Sequence, residues 1–407
     1  MNGFFHKLMV WGLKPRLQAL DAMRRDTPAV QDRVFRKLLR RGQATAWGRH
    51  YEYRSVKNLD TFQRRVPVQA YEEFFPWIER SLRGERSVLW PGKVRWFAKS
   101  SGTTNDVSKF IPATPESLHY MHFLAGKDLF ALYMDHRPAS KLAHGKLLAV
   151  GGSHEISRYN SHARYGDLSA VLLENMPWLY RLSRAPKKSI ALMDEWEAKI
   201  EAMARAMLNT KLTAIVGVPT WTVVLIKRVL ALAQASDVRE VLPHLEVFFH
   251  GAVNFAPYRA HFNELIPHDD MWYVESYNAS EGYFGIQNGP VRDPNGMLLL
   301  ADHGIFYEFV PVAEVGNPFP KAYTLSEVRV GESYALVMSA NNGLWRYMVG
   351  DTIRFTSLNP YEIVVEGRTK HFINAFGEEV VVENAEAAIA AACELTGAIV
   401  TDFTAGP

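Results

Sequence analysis

Phe97-Ala-Lys-Ser-Ser-Gly-Thr-Thr-Asn-Asp-Val-Ser-Lys-Phe-Ile-Pro112 is the stretch on which the reading of this chain turns. It sets serine and threonine hydroxyls, Gly102 and two lysines between apolar segments. A loop of that composition can wrap a polyanion. Hydroxyls and backbone N–H groups donate, Gly102 permits close approach, and Lys99 or Lys109 supplies charge. Taken alone, a Ser/Thr/Gly run is more often a polar turn. The surroundings decide between the two.

Residues 94–98 read as a strand feeding this loop, and Pro115 opens a long helix through Leu118, Met121, Leu124, Leu129 and Leu132. Further strands are predicted over 146–150, 212–216, 245–249 and 271–276, with helices over 194–208 and from Thr220 to about Gln234. Such alternation indicates an α/β fold with a mostly parallel sheet, in which ligands sit at the carboxyl ends of the strands. That rule brings together the loops 100–109, 217–220, 250–253 and 277–281.

Upstream, residues 1–93 read as mostly helical. Thr27-Pro28 is a helix start, Val30, Val34, Phe35, Leu38 and Leu39 form one stripe, and Gly42 is a stop. Asp60 is a candidate cap, and 71–82 is an amphipathic helix. From residue 297 the pattern becomes β-rich. The expected organisation is a large N-terminal domain over 1–367 (helical 1–93, α/β core 94–296, β-rich 297–367) and a small α+β unit over 368–407.

Composition narrows the class. The 407 residues are 48% apolar with a formal charge of +3, enough for a large core and too balanced for a dedicated nucleic-acid binder. The lone Cys393 excludes an internal disulfide and fits a reducing compartment. No run approaches a membrane span, and the N-terminus lacks a signal-peptide pattern. The expectation is a cytoplasmic protein with no nucleic-acid or membrane partner. The histidines His119, His122, His136, His144, His154 and His162 lack the spacing of a zinc site.

Three further stretches carry chemistry. In Glu275-Ser-Tyr-Asn-Ala-Ser-Glu281, Tyr277 can stack on a base, Ser280 can donate to a phosphate, and Glu281 can hold Mg²⁺ against phosphates; a strand-end loop with a solvated Glu is the alternative. In Leu344-Trp-Arg-Tyr-Met-Val-Gly-Asp351, the carboxylate after glycine suits a ribose diol, or else marks a hairpin turn. Glu366-Gly-Arg-Thr-Lys-His-Phe-Ile-Asn-Ala-Phe-Gly377 separates two β segments as a domain junction does.

The order of these four blocks resembles the acyl-adenylate-forming superfamily of luciferases and acyl-CoA synthetases. Their wording resembles the Gretchen Hagen family of auxin-responsive acyl acid amido synthetases, bacterial type, from about Thr27 to the C-terminus. The resemblance implies a phosphate loop at Ser100, Ser101, Gly102, Thr103 and Thr104, closed by Lys109. It implies an adenine wall at Gly251, Ala252 and Val253 and an adenine-stacking Tyr277. Glu281 would be the Mg²⁺ ligand, Asp351 the ribose ligand, Arg368 the hinge arginine and Lys370 the pivot.

The activity so implied uses ATP and Mg²⁺ to adenylate a small carboxylic acid, then transfers the acyl group to an amino acid. Lys109, Glu281 and Arg368 are the expected catalytic residues. Tyr120, Val218, Trp221 and Phe255 are candidates for the acid pocket, although aromatics at such spacings are usually core. The loop carries Asn105-Asp-Val where many superfamily members keep another Gly and Pro, as fits this family better than the CoA ligases. The family's C-terminal domain is longer than the 40 residues of 368–407, so the chain reads as truncated. An acyl-CoA ligase, or a non-catalytic module that binds ATP or the acid, are the alternatives.

Overall fold

Apolar residues at helical spacing fold the N-terminal segment against the sheet. Helix Asn2–Arg25 buries Leu13, Leu20 and Met23, and Thr27–Gly42 buries Val30, Phe35, Leu38 and Leu39. Two caps differ from expectation. Asp26, not Thr27, accepts from the Ala29 N–H, and Asn58, not Asp60, accepts from the Thr61 N–H. In each case the cap is the short polar side chain three residues before the free N–H it satisfies. Helix Tyr71–Leu82 has the expected bounds. The chain is seen here in a computed structural model that describes residues 2–100, 108–150, 156–193, 195–289, 296–369, 372–375, 378–381, 388–389, 392 and 395–396.

The expected α/β architecture is present, built on two sheets. Eleven strands form the large one, in the order Ile305–Pro311, Ser333–Ala340, Tyr347–Leu358, Tyr361–Arg368, Met297–Leu299, Tyr283–Gln287, Trp272–Asn278, Val247–Gly251, Leu212–Gly217, Lys146–Val150 and Arg184–Ala185. Pairing is parallel from Trp272–Asn278 to Arg184–Ala185 and antiparallel through the other half. The parallel half thus accounts for four of ten pairings, fewer than a mostly parallel sheet implies. The reason is connection length. Helices such as Pro219–Ala233 and Ala256–Leu265 cross over between parallel strands, whereas Asn278 and Tyr283 are joined too tightly for anything but a hairpin.

Strand Trp96–Ser100 is not part of that sheet. It pairs antiparallel with Lys109–Ala113 and parallel with Arg164–Gly166, which in turn meets Ser157–Arg158. The helix opened by Pro115 is also interrupted. A π-helical turn, Leu118–Phe123, lies between Pro115–Ser117 and Leu124–His136.

A buried ionic cluster fastens the first helix to this frame. Arg16 donates to both Asp128 oxygens (2.8 and 2.6 Å) and to Asp302 (3.2 Å). His303, fully buried, lies 3.0 Å from Asp128 and 2.8 Å from Asp302. These carboxylates favour the imidazolium against the cost of burial, and its pKa is raised. Among the described residues no helix is long and apolar enough to cross a membrane. Cys393 and most of the expected unit 368–407 lie outside the described residues; the hairpin of Phe372–Ala375 with Glu378–Val381 is its largest described piece.

Candidate active site

Three of the four loops grouped from the sequence do leave the carboxyl ends of neighbouring parallel strands, at Gly217, Gly251 and Asn278. The fourth arrives from the second sheet. Ser100 pairs with Lys109 at the loop end of a hairpin, so the hydroxyl-rich segment connects one strand to the next. Ser101, Gly102, Thr103, Thr104 and Lys370 lie outside the described residues.

Lys109 sits with its Nζ 5.7 Å from the centre of the Tyr71 ring, within cation–π range. The Tyr71 hydroxyl accepts the Phe110 N–H at 2.8 Å, tying helix Tyr71–Leu82 to the base of the loop. Burial pushes that phenol up to about 12. Lys109 also lies close enough to Glu281 to act on its charge, as do Asp351 and Arg368.

Glu281 is buried, and burial raises its pKa above the ordinary carboxylate range. Asp351 adds to the rise, while Lys109 and Arg368 oppose it. The Glu281 carbonyl accepts from Asn342 Nδ2 at 2.8 Å, which links its loop to the start of the Asn342–Asp351 segment. Among the described residues no group of three His, Cys, Asp or Glu side chains is arranged to hold a metal ion. A hard cation here would rest on Glu281 and on phosphate oxygens.

Asp351 is the hub on the other side. The Tyr277 hydroxyl donates to one of its oxygens at 2.5 Å, and Arg368 Nε lies 3.0 Å from the other. Register explains the second contact, because Asp351 and Arg368 are direct cross-strand partners. Tyr277 is buried and packs its ring 4.7 Å from that of Phe284. Burial and the Asp351 charge drive its phenol pKa well up.

The Gly251–Val253 turn follows from close strand approach. A Cβ on Gly251 would sit 2.2 Å from the Ser276 carbonyl oxygen, its cross-strand partner. Gly251→Ala is therefore expected to push the strand ends apart and lower unfolding free energy by about 1–3 kcal/mol in urea denaturation. Ala252 follows with φ +72°, a left-handed conformation that costs an L-residue about 1–2 kcal/mol. His250, just before, is buried against Phe255 at 4.1 Å, and burial with the nearby Arg259 charge holds its pKa down to about 3.

The residues read as an acid pocket differ in their surroundings. Phe255 is buried, and Trp221 packs at the edge of the same apolar layer, 5.8 Å from Trp196. Val218 is the extended residue that starts helix Pro219–Ala233. Tyr120 is 52% exposed, with Lys37 Nζ 5.6 Å from its ring. Ser280 is half-buried beside Glu281. Tyr71, Tyr347 and Asn342 are site neighbours that the sequence did not single out. The Tyr347–Asp351 spacing in one strand was the available signal for the second; Tyr71 had none, because its contact is made across 39 residues.

Known proteins resemble the chain in sequence and in fold. The GH3 family N-terminal domain matches residues 16–271, and the GH3 family central domain matches residues 298–368. The indole-3-acetic acid-amido synthetase GH3.3 of Arabidopsis thaliana is 23% identical, over 84% of this chain and 67% of its own. GH3.8 of Oryza sativa subsp. indica is 24% identical, over 84% of this chain and 66% of its own. The chain thus spans about two thirds of the length of these relatives. A solved structure of the GH3.15 acyl acid amido synthetase in complex with 2,4-DB superposes with a TM-score of 0.82 at 18% identity, covering 97% of this chain and 78% of that one. A 2-hydroxyisobutyryl-CoA ligase does so at 0.57 and 15% identity, over 89% and 79%. With two successive family domains matched across most of its length, the chain belongs to the GH3 family.

Proposed function

We propose that this chain is a ligase that adenylates a carboxylic acid with ATP and passes the acyl group to an amino acid. The carrying observation is the convergence of Lys109, Glu281, Tyr277, Asp351 and Arg368, drawn from two sheets. The family relatives named as amido synthetases support the reaction class.

In the first step an oxygen of the substrate carboxylate attacks the α-phosphorus of ATP, and the bond to pyrophosphate breaks. Lys109 and Arg368 offset charge on the phosphates, and the loop hydroxyls of 100–104 hold them in line for displacement. Glu281 would hold Mg²⁺, which supplies further charge neutralisation at the phosphates when bound. Asp351, positioned by Tyr277, accepts from the ribose hydroxyls. In the second step the amino group attacks the acyl carbon, AMP leaves, and the amine gives up a proton.

Hydroxylamine trapping of the acyl-AMP across a panel of aromatic and aliphatic acids tests the first step. Product with at least one acid and ATP-dependent pyrophosphate release are expected, and their absence with every acid leaves only a nucleotide-binding module. CoA-dependent, amino-acid-independent AMP release would assign the chain to the CoA ligases instead. Asp351→Asn keeps the shape and removes the charge. It is expected to weaken ATP binding about tenfold or more in calorimetry, as loss of a charge-assisted hydrogen bond of about 1.5–3 kcal/mol requires.

A further inference from the structure

We propose that a cavity at the far end of the 96–113 hairpin is a second binding site, which takes a small amphipathic organic anion, an aryl or acyl body bearing a carboxylate. The cavity has a volume of about 480 Å³, within the range of small-molecule sites. Its walls divide by chemistry. Trp96, Leu118, Phe123 and Pro177 supply apolar surface, Lys93 and Arg95 supply two cations, and among the described residues no acidic side chain lines it.

The surrounding charges leave that field positive. Lys93 Nζ faces His162 Nδ1 at 3.1 Å, an imidazole nitrogen in place of a carboxylate. The neighbouring Glu116 is paired with Arg41, so it does not neutralise the cavity. The Arg164 guanidinium lies 5.6 Å over the Trp96 ring, adding a further positive charge behind the aromatic wall. A carboxylate entering here exchanges water for two cations, and an apolar body covers the ring surfaces.

The π-helical turn is the second, independent observation. Leu118 and Phe123 are its first and last residues, and the i to i+5 pattern of such a turn stacks these two side chains on one side of the helix. Turns of this kind recur at functional sites. Here both ends of the turn line the cavity.

This site is separate from the reacting centre. Trp96 pairs with Ala113, whereas the phosphate-loop ends are joined by Ser100 and Lys109 at the other end of the same ladder. Four residues of strand separate the two by about 13 Å. A carboxylate held at Lys93 and Arg95 is therefore out of bonding reach of a phosphate held at Lys109. The assignment does not depend on the adenylation reading.

The test is calorimetric titration of the full chain with 2-naphthoate. The double variant Lys93→Met, Arg95→Met and the cavity-filling variant Asn175→Trp are each expected to remove one bound equivalent or weaken it at least tenfold. The cationic pair lies on partly or largely exposed side chains, so the double variant should fold, as thermal melting would verify. Unchanged stoichiometry and affinity in both variants overturns the proposal. Neutral 2-naphthylmethanol should bind at least tenfold more weakly, and equal binding overturns the anion assignment. Inorganic phosphate competing as well as 2-naphthoate would overturn the need for an apolar body. Crystals grown with 6-bromo-2-naphthoate should show anomalous bromine density beside Phe123, and density only beside Glu281 would count against a second site. Pyrophosphate release by the double variant should match that of the parent chain.

Discussion

Glu281→Gln is expected to lower acid-dependent pyrophosphate release by about 10²–10³-fold, the scale of removing one preorganised electrostatic group from a transition state. The buried carboxylate is the only one of the converging groups with its backbone tied to the Asn342 side chain, so its placement is fixed before any ligand arrives. Glutamine keeps that backbone link and removes the charge that would hold a cation. Release at the parent level would take Glu281 out of the metal role.

The pH dependence carries a sign that separates charge from packing. Burial raises the Glu281 pKa, Asp351 raises it further, and Lys109 and Arg368 pull it back. Activity that needs the carboxylate should fall on the acid side at a pH above the ordinary carboxylate range. Lys109→Met, by removing one opposing charge, should move that limb to higher pH. For stability, a raised folded-state pKa contributes fully below the ordinary carboxylate value and is lost as pH rises through the raised one. Glu281→Gln escapes that loss, so at neutral pH it should melt above the parent chain while working far more slowly. A variant that is both slow and less stable would instead indicate a packing role.

Arg346→Met is expected to cost about 3–5 kcal/mol of unfolding free energy, because it strands a buried carboxylate. Arg346 and Glu308 are both fully buried, with Nε 3.1 and 3.0 Å from the two Glu308 oxygens. Arg346 Nη1 also donates to the carbonyls of Gln63 (2.8 Å) and Val66 (2.6 Å), at the end of helix Leu59–Arg65. The double variant Arg346→Met, Glu308→Leu should recover much of the loss, since removing both charges leaves no unpaired ion. Urea denaturation of the three proteins measures this. A single-variant loss under about 1 kcal/mol would mean that the pair behaves like an exposed one. Arg346 immediately precedes strand Tyr347–Leu358, so this arginine fixes where the Asp351 strand begins.

What was legible in the sequence was whatever short-range pattern controls. Helix Tyr71–Leu82 and strand Lys146–Val150 have the bounds that stripe and turn signals gave. The chain order of the four motifs was legible as well, and the family follows from it. Long-range pairing was not. Nothing local in Phe97-Ala-Lys distinguishes a strand of the large sheet from one that pairs with Arg164–Gly166. The π-helical turn was invisible because its residues suit an ordinary helix equally well. Of the acid-pocket candidates, Phe255 and Trp221 lie in one apolar layer between sheet and helices, a placement that their sequence spacing did not indicate.

The change from parallel to antiparallel pairing at Trp272–Asn278 also sets an order of events in time. The strands Ile305–Pro311, Ser333–Ala340, Tyr347–Leu358 and Tyr361–Arg368 follow one another in sequence and in space, and the last two of their ladders close short loops. Lys146–Val150, Leu212–Gly217 and Val247–Gly251 must wait for whole helices to cross over before they can pair. Loop-closure entropy therefore delays the half that carries the Gly251–Val253 turn. In pulse-labelled hydrogen exchange during refolding, amides of Ser333–Ala340 should become protected before those of Val247–Gly251. The strand that carries Asp351 would then be in place before the Gly251–Val253 turn forms.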